Sequence, residues 1–168
     1  NRQAISEVFL TDFEPVSSVN WLVGAQLPLS HSYYSDHVML ASSYDPLLLL
    51  ECARQAATFG GYKQFGSPKG TVNIVDSTSI YIAHPELLLI SKQPGQLVLE
   101  VFAEEIFEVK GQVRKVKPRI TLFLDEKFVG EVLIQATLLS QDQFKMLRAK
   151  TKQGTILTTK NMVEPNAA

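Results

Sequence analysis

The sequence predicts an α+β fold, in which a curved antiparallel β-sheet is wrapped around one long central helix. A single apolar helix occupies about residues 46–60, and the segments on either side alternate apolar and polar residues with a period of two. Apolar or small residues point in nearly every direction around this helix, so we expect it to be buried all round. The sheet must then enclose the helix.

The limits of the helix are indicated by three short signals. Asp45 has a side-chain oxygen that can accept from the exposed amides of a helix N-terminus, and Pro46 suits the first helical position, where no donor is needed. The pair Gly60-Gly61 predicts the end of the helix, because glycine commonly follows the last helical turn.

The strands are predicted from alternating runs that are rich in β-branched and aromatic residues. Two precede the helix, Val8–Phe13 and Trp21–Gln26, and four follow it, at about 71–83, 96–108, 113–125 and 128–139. A hairpin at Asp125-Glu126-Lys127 joins the last two. A strand pair, one long helix and then an antiparallel set is the element order of a single hotdog fold.

Composition predicts one domain. A chain of 168 residues, 45% of them hydrophobic, can bury a sizeable core, and we expect a domain at residues 1–145 with a partly ordered C-terminal extension at 146–168.

The net charge of −1 predicts no nucleic-acid partner. The apolar run Pro46–Leu50 is too short to span a membrane, and the single cysteine, Cys52, fits a reducing cytoplasm.

Two charged residues inside the apolar helix mark a candidate site. Glu51 and Arg54 are three residues apart and therefore share one helix face. A lone buried charge is strongly disfavoured, so the two must either pair with each other or serve a ligand. A buried ion pair that closes a dimer interface is the structural alternative.

Other polar residues near the helix are weaker candidates. His31 could be a second acid or base or could cap a loop beside Tyr33 and Tyr34, while Asp45 could contact substrate as well as cap the helix. Gln55 could bind substrate or satisfy buried backbone groups. The histidines are scattered and no metal-site spacing or phosphate-cradling glycine loop is present, so we expect no metal and no cofactor.

Four segments carry a resemblance to a known family. They are Glu7–Asp12, Val23–Pro28, Ser30–Tyr34 and Asp45–Ala56, which includes Asp-Pro-Leu-Leu-Leu followed by Glu-x-x-Arg-Gln. Together they resemble the A-factor biosynthesis (AfsA-type) hotdog family, and His31 with Glu51 more distantly resembles the hotdog β-hydroxyacyl-carrier-protein dehydratases. The AfsA resemblance implies γ-butyrolactone signal synthesis, with a β-ketoacyl group passing from an acyl-carrier protein to the hydroxyl of dihydroxyacetone phosphate.

Two departures from the family pattern bear on this implication. Family members of the synthase type usually carry two hotdog repeats, whereas this sequence has one, so a homodimer would have to supply the second. The residue before the Asp-Pro pair is often histidine but is Tyr44 here. Any role of that imidazole is lost or falls to His31.

The resemblance also implies a division of roles. Catalysis falls to Glu51, Arg54 and His31, and substrate contacts to Tyr33, Tyr34, Asp45 and Gln55, with a phosphopantetheine arm or coenzyme A present as part of the substrate. The same set of residues would serve acyl transfer, dehydration or thioester hydrolysis. A non-catalytic acyl-binding or dimerisation module is the alternative of another class.

Two basic clusters could dock an acidic carrier protein. The first comprises Lys110, Arg114, Lys115, Lys117 and Arg119; the second comprises Lys145, Arg148, Lys150, Lys152 and Lys160. Basic patches attract acidic partners, but lysines on sheet edges also prevent strand-to-strand aggregation. Both interpretations of the first cluster stay open from the sequence.

Overall fold

The computed structural model describes residues 4–35, 43–68 and 70–151. Within these ranges the chain forms a long helix and a six-stranded antiparallel sheet, with a second helix after the last strand. The elements are β1 (Leu10–Pro15), β2 (Asn20–Leu27), α1 (Pro46–Gln64), β3 (Val72–Ile82), β4 (Gly95–Val109), β5 (Gln112–Leu124), β6 (Lys127–Leu139) and α2 (Gln141–Thr151). The predicted α+β hotdog architecture is confirmed.

The sheet has the strand order β1-β2-β4-β5-β6-β3. Two tight hairpins connect its longest strands, and the central residues of both turns have positive φ: Lys110 (52°) and Gly111 (71°), then Asp125 (48°) and Glu126 (67°). Positive φ at both positions matches the twist of the flanking strands. The predicted hairpin at 125–127 is confirmed, and β3 is left at an edge where it pairs with β6.

The core lies between α1 and the concave face of the sheet. Leu48, Leu49 and Cys52 of the helix are buried against alternating residues of the strands, such as Leu97 and Leu99 of β4. Fully burying each leucine contributes about 1.5–3 kcal/mol. Cys52 is therefore a small core residue, as its neighbours in the sequence indicate.

The start of α1 is predicted correctly and its end is not. Asp45 caps the helix, since its Oδ1 accepts from Leu47 N at 2.8 Å. The helix then continues through Gly60-Gly61 to Gln64. Gly60 lies against Trp21, and a Cβ at this position would come within 2.2 Å of the indole ring. The glycine permits close packing and does not end the helix.

The expectation that α1 is buried all round is wrong for one face. Leu47 is 49% exposed, and Arg54, two turns further along the same face, is half-buried. On this face the β3 side of the sheet does not close over the helix. An open groove results.

The strand boundaries agree with the prediction to within about two residues, with β1 starting at Leu10 instead of Val8. At the other end, α2 crosses the expected boundary at residue 145, and residues 152–168 lie outside the described ranges. The division into 1–145 and 146–168 stays a prediction. No helix in the described part of the chain has the length and apolarity needed to cross a membrane.

Candidate active-site groove

The groove runs along α1, facing β3 and β6. Its wide part, about 250 Å³, is bordered by Tyr33, Tyr34, Leu47, Leu50, Glu51 and Arg54. A narrow cleft of about 40 Å³ continues from it toward Trp21. Both parts are lined by Arg54, Val75 and Ile134, so they adjoin along this side of α1.

Glu51 and Arg54 form a two-pronged ion pair in the wall of this groove. Arg54 Nε donates to Glu51 Oε2 at 2.7 Å, and Nη2 donates to Oε1 at 2.7 Å. The Glu51 side chain is 9% exposed and that of Arg54 is 40% exposed. The hydrogen bonds to Glu51 raise the pKa of Arg54 above its ordinary value. The guanidinium is thus fixed in position and permanently charged.

Arg54 keeps donors available for a ligand. Within the described part of the chain its Nη1 makes no hydrogen bond, and the side chain lines both parts of the groove. A guanidinium has five N–H donors in a planar fork. With one edge held by Glu51, the Nη1 edge can donate to an oxygen atom in the groove.

Gln55 links the ion pair to the N-terminal segment. Its Nε2 donates to Glu51 Oε1 at 2.9 Å and to the Glu7 carbonyl at 2.8 Å, while its Oε1 accepts from Phe9 N at 3.3 Å. Both N–H donors of the amide are therefore used within the protein. Gln55 positions Glu51, and a contact between Gln55 and substrate stays a prediction.

His31 lies behind the groove and not in it. Its Nδ1 accepts from the backbone amides of Tyr33 at 3.1 Å and Tyr34 at 3.4 Å, and its Nε2 is 3.9 Å from Glu7 Oε1. Because Nδ1 is an acceptor here, a neutral His31 carries its proton on Nε2, toward Glu7. The histidine holds the turn that presents the tyrosines, and its catalytic role stays a prediction.

Tyr33 and Tyr34 border the wide part of the groove, and their contact with substrate stays a prediction. The ring of Tyr34 packs on His31 with a centroid distance of 4.9 Å and also lies near enough to Arg54 to affect its pKa. Tyr34 thus lies near both the imidazole and Arg54.

The start of α1 offers few amides to a ligand. Asp45 Oδ1 accepts from Leu47 N, the Asp45 carbonyl accepts from Leu48 N, and Pro46 has no N–H. Asp45 caps the helix and does not line the groove, so its contact with substrate stays a prediction. Tyr44 is buried, and its hydroxyl accepts from Gly95 N at 2.7 Å. It is a structural residue and does not place a polar group in the groove.

Sequence reasoning missed the apolar and aromatic wall of the groove. Trp21 and Thr58 line the narrow cleft, with Val75 and Ile134 opposite them. Two features of the sequence could have indicated the role of Trp21 in this wall: it is the only tryptophan of the chain, and it takes an inward position of β2. The contact with α1 could not be read from the sequence because it joins residues far apart along the chain.

The two basic clusters differ in their surroundings. In the first, Lys117 bridges to Glu105 at 3.0 Å and Arg119 to Glu104 at 2.5 Å, so acids on the neighbouring strand neutralise these cations. In the second, Lys145 and Arg148 lie on α2, whereas Lys152 and Lys160 fall outside the described residues. Across the described ranges, no three His, Cys, Asp or Glu side chains are grouped as they would be around a metal ion.

The fold and the groove together define a hotdog protein that carries a carboxylate–guanidinium pair in the wall of a largely apolar groove. The chain belongs to the A-factor biosynthesis hotdog domain family, whose sequence profile matches residues 1–140. The resemblance carried by Glu7–Asp12 and Asp45–Ala56 is confirmed.

Similar proteins include two 2-oxo-3-(phosphooxy)propyl 3-oxoalkanoate synthases. The one from Streptomyces virginiae is 28% identical over 127 residues, which cover 73% of this chain and 40% of that protein. The one from Streptomyces griseus is 32% identical over 84 residues, which cover 50% of this chain and 27% of that protein. The chain therefore spans less than half the length of these relatives.

Solved structures agree on the fold. A hot-dog-like protein from Thermanaerovibrio acidaminovorans superposes with a TM-score of 0.62 at 13% identity, covering 80% of this chain and 91% of that one. A thioesterase-superfamily protein from Thermus thermophilus has a TM-score of 0.53 at 11% identity, covering 83% and 95%. At these identities the likeness establishes the hotdog fold alone.

Proposed function

We propose that the protein transfers a 3-oxoacyl group from an acyl-carrier-protein thioester to a hydroxyl acceptor such as dihydroxyacetone phosphate. The observation that carries this proposal is the Arg54 guanidinium, which Glu51 fixes on one edge and whose other edge faces an apolar groove. The name of the Streptomyces relatives supports it, because it describes an ester between the carboxyl group of a 3-oxoalkanoate and the hydroxyl group of dihydroxyacetone phosphate.

The proposed reaction is a single acyl transfer. The acyl chain lies along α1, and the donors of Arg54 stabilise the oxyanion that forms when the acceptor hydroxyl attacks the thioester carbonyl. Glu51, which is paired with Arg54, accepts the hydroxyl proton and returns it to the departing thiolate. One C–O bond forms and the C–S bond breaks. The carrier leaves as a free thiol.

A second hotdog unit is part of the proposal, and we assign it to a second copy of the chain. The edge strand β3 has exposed apolar residues, including Val75 and Tyr81, and lies beside the exposed Leu47 face of α1. Exposed apolar residues on an edge strand beside a half-open groove are typical of an interface. A homodimer would cover both and enclose the acyl chain.

The carrier protein is proposed to approach the second basic cluster. Helix α2 carries Lys145, Arg148 and Lys150 beside exposed Met146 and Leu147, a combination suited to an acidic helical partner. The phosphopantetheine arm, or coenzyme A in its place, would arrive as part of the substrate and not as a cofactor. A cytoplasmic location follows from that partner and remains part of the proposal.

Hydrolysis and dehydration are the alternatives within the same class. Water in place of the acceptor hydroxyl would make the protein a thioesterase, as several hotdog neighbours are named. A non-catalytic acyl-binding or dimerisation module is less well supported, because the Arg54 side chain is 40% exposed in the wide part of the groove.

The test is intact-mass analysis of an acyl-carrier protein loaded with a 3-oxoacyl chain and incubated with this protein. The proposal expects loss of the acyl mass from the carrier only when dihydroxyacetone phosphate is present, with one ester formed per carrier thiol released. Acyl loss without the acceptor would favour hydrolysis. Loss of one water from a 3-hydroxyacyl carrier would favour dehydration, and an unchanged carrier in all arms would favour the module.

A further inference from the structure

A second hollow, of about 290 Å³, adjoins the narrow cleft at the end away from the wide part of the groove. Phe65, Ser67 and Leu138 line both the cleft and this hollow. We call it the hairpin hollow, because the β4–β5 hairpin forms one wall. The other walls are the chain after α1 and the start of α2, and the polar or charged side chains around it include those of Ser67, Thr71, Gln112, Arg114, Ser140 and Gln141.

Arg114 is held in the wall of the hairpin hollow by neutral groups. Its Nη1 donates to Gln143 Oε1 at 3.1 Å, and its Nη2 donates to Gln112 Oε1 at 2.8 Å. A guanidinium has five N–H donors, so three of them have no acceptor among the described residues. The two amide oxygens fix the orientation of Arg114 without neutralising its charge.

The hairpin hollow has no acidic side chain among the described residues that line it. Asp142, the nearest acid along α2, is exposed and lies 3.9 Å from Lys145 Nζ. Lys117, which is on the same strand as Arg114, bridges to Glu105 at 3.0 Å. Arg114 therefore gives the hollow a positive charge, which an anionic ligand can neutralise.

The hairpin hollow lies about 17 Å from the reacting centre at Arg54. Along α1, Phe65 is eleven residues beyond Arg54, which corresponds to about 17 Å at about 1.5 Å per residue. Along β6, Ile134 lines the groove beside Arg54 and Leu139 lines the hollow. Those five residues also correspond to about 17 Å, at about 3.4 Å per residue. The two independent paths agree.

This separation distinguishes between two phosphate groups of the proposed reaction. About thirteen bonds separate the thioester sulfur from the phosphorus of a phosphopantetheine arm, which corresponds to about 16 Å in an extended chain of ordinary single bonds. In dihydroxyacetone phosphate, about five bonds, or about 6 Å, separate the attacking hydroxyl oxygen from the phosphorus. Only the phosphate of the arm reaches the hollow while the thioester lies at Arg54.

We propose that the hairpin hollow binds the phosphate of the phosphopantetheine arm, with Arg114 as the charged donor and the Ser67 hydroxyl as a neutral one. This inference rests on the acyl groove of the proposed function and deepens it. The arm occupies the narrow cleft, and the acyl chain lies in the wide part of the groove toward Leu47. Helix α2 begins at the wall of the hollow, at Gln141, so a carrier docked on α2 has its phosphate close to Arg114.

The test compares pantetheine with 4′-phosphopantetheine, which differ only in the phosphate. Isothermal titration calorimetry with the full chain measures both affinities. We expect the phosphorylated ligand to bind about tenfold more tightly or better, because hydrogen bonds between two charged groups are the stronger kind. In Arg114→Gln this preference should fall to near one, while the affinity for pantetheine stays the same and shows that the groove is folded.

Lys117→Gln is the matched control for charge. It removes one positive charge from the same strand, but from a side chain that Glu105 already neutralises. This variant should keep the full preference for 4′-phosphopantetheine. An equal loss of preference in both variants would reduce the effect to the general charge of the surface and overturn the proposal, as would equal affinities for the two ligands in the parent.

Dihydroxyacetone phosphate separates the two sources of phosphate. Its affinity should be the same in the parent and in Arg114→Gln, because its phosphate does not reach the hairpin hollow from Arg54. A loss of this affinity with an unchanged preference for 4′-phosphopantetheine would assign the hollow to the acceptor and overturn the inference.

Failure of the inference and failure of the proposed function give different results. If the phosphate preference depends on Arg114 but the carrier keeps its acyl group in the mass assay, the phosphate site stands and acyl transfer is wrong. If acyl transfer occurs but Arg114→Gln has the same phosphate preference as the parent, acyl transfer stands and the phosphate site is wrong.

Discussion

The guanidinium of Arg54 contacts Glu51 along one edge and lines the groove with the other. One edge is held by Glu51 through hydrogen bonds of 2.7 Å, and the other faces the groove. Gln55 in turn fixes Glu51 and ties it to the backbone of Glu7. At the scale of single residues, the site is therefore a preorganised cation in an apolar wall.

The first prediction concerns Arg54→Met. The Arg54 side chain is 40% exposed, so the groove can hydrate Glu51 once its partner is gone. We expect the free energy of unfolding to fall by less than the roughly 3–5 kcal/mol that breaking a fully buried pair costs. Acyl transfer should fall by about 100-fold or more, as when an oxyanion donor is lost. Thermal melts and the transfer assay on one preparation measure both.

Arg54→Lys is the control for charge. This variant should be as stable as the parent but should have a lower rate of acyl transfer. An ammonium group cannot make two hydrogen bonds to Glu51 and donate to the substrate at the same time. A large drop in melting temperature with a fully active folded fraction would contradict the substrate-binding role of Arg54.

The second prediction concerns Glu51→Gln. The amide keeps the shape of the side chain and can still accept from Arg54, but it has no basic oxygen to take a proton. We expect turnover to be lost while the circular dichroism spectrum and melting cooperativity are retained. Turnover equal to that of the parent would return Glu51 to a purely structural role.

The third prediction concerns the thiol of Cys52. Burial raises the pKa of this thiol above its ordinary value of 9.0, with the neighbouring Glu51 charge adding to the effect. The thiolate is thus disfavoured in the folded state, so this contribution to stability is complete below about pH 9 and declines as the pH rises above it. Alkylation by iodoacetamide should be slow in the native protein and fast in denaturant. Equal rates in the two states would contradict this burial.

At the scale of elements, the first turn of α1 can be predicted from local sequence, whereas the end of the helix cannot. Asp45 and Pro46 determine the first turn, and local sequence suffices to predict them. Gly60 cannot be interpreted locally, because the ring that occupies its missing side-chain space belongs to Trp21 of β2. The predicted helix end failed for this reason.

The fourth prediction compares the two adjacent glycines of α1. Gly60→Ala would place a Cβ 2.2 Å from the indole ring and should destabilise the protein by about 1–3 kcal/mol, the usual cost of overpacking. At Gly61 nothing lies within 4 Å of an added Cβ, so Gly61→Ala should stabilise by about 0.4–1 kcal/mol. Urea unfolding of both variants measures the difference. Equal stabilities would contradict the packing of Trp21 on Gly60.

The strands were predicted more accurately than the polar contacts of the site. Alternation with a period of two is a local signal, and β4 with its buried Leu97 and Leu99 follows it closely. The partners of Gln55 and His31 depend on contacts with Glu7, which lies 48 residues before Gln55. The ion pair of Glu51 and Arg54 could be predicted because both residues lie on one helical turn.

At the scale of the whole molecule, the exposed β3 edge and the open side of α1 lie next to each other. The fifth prediction is that the protein sediments as a dimer at micromolar concentration, since this apolar surface is otherwise left in contact with water. The measurement is sedimentation velocity over a dilution series. A stable monomer throughout the series would contradict the proposed homodimer.

The central claim is that the acyl chain occupies the groove with its carbonyl at Arg54. The most direct measurement is a crystal structure with a non-hydrolysable pantetheine amide of a 3-oxoalkanoic acid. The account predicts the amide oxygen within hydrogen-bond distance of Arg54 Nη1, with the bound molecule lying along α1 toward Trp21. A ligand bound elsewhere, or one in the groove with its carbonyl turned away from Arg54, would contradict it.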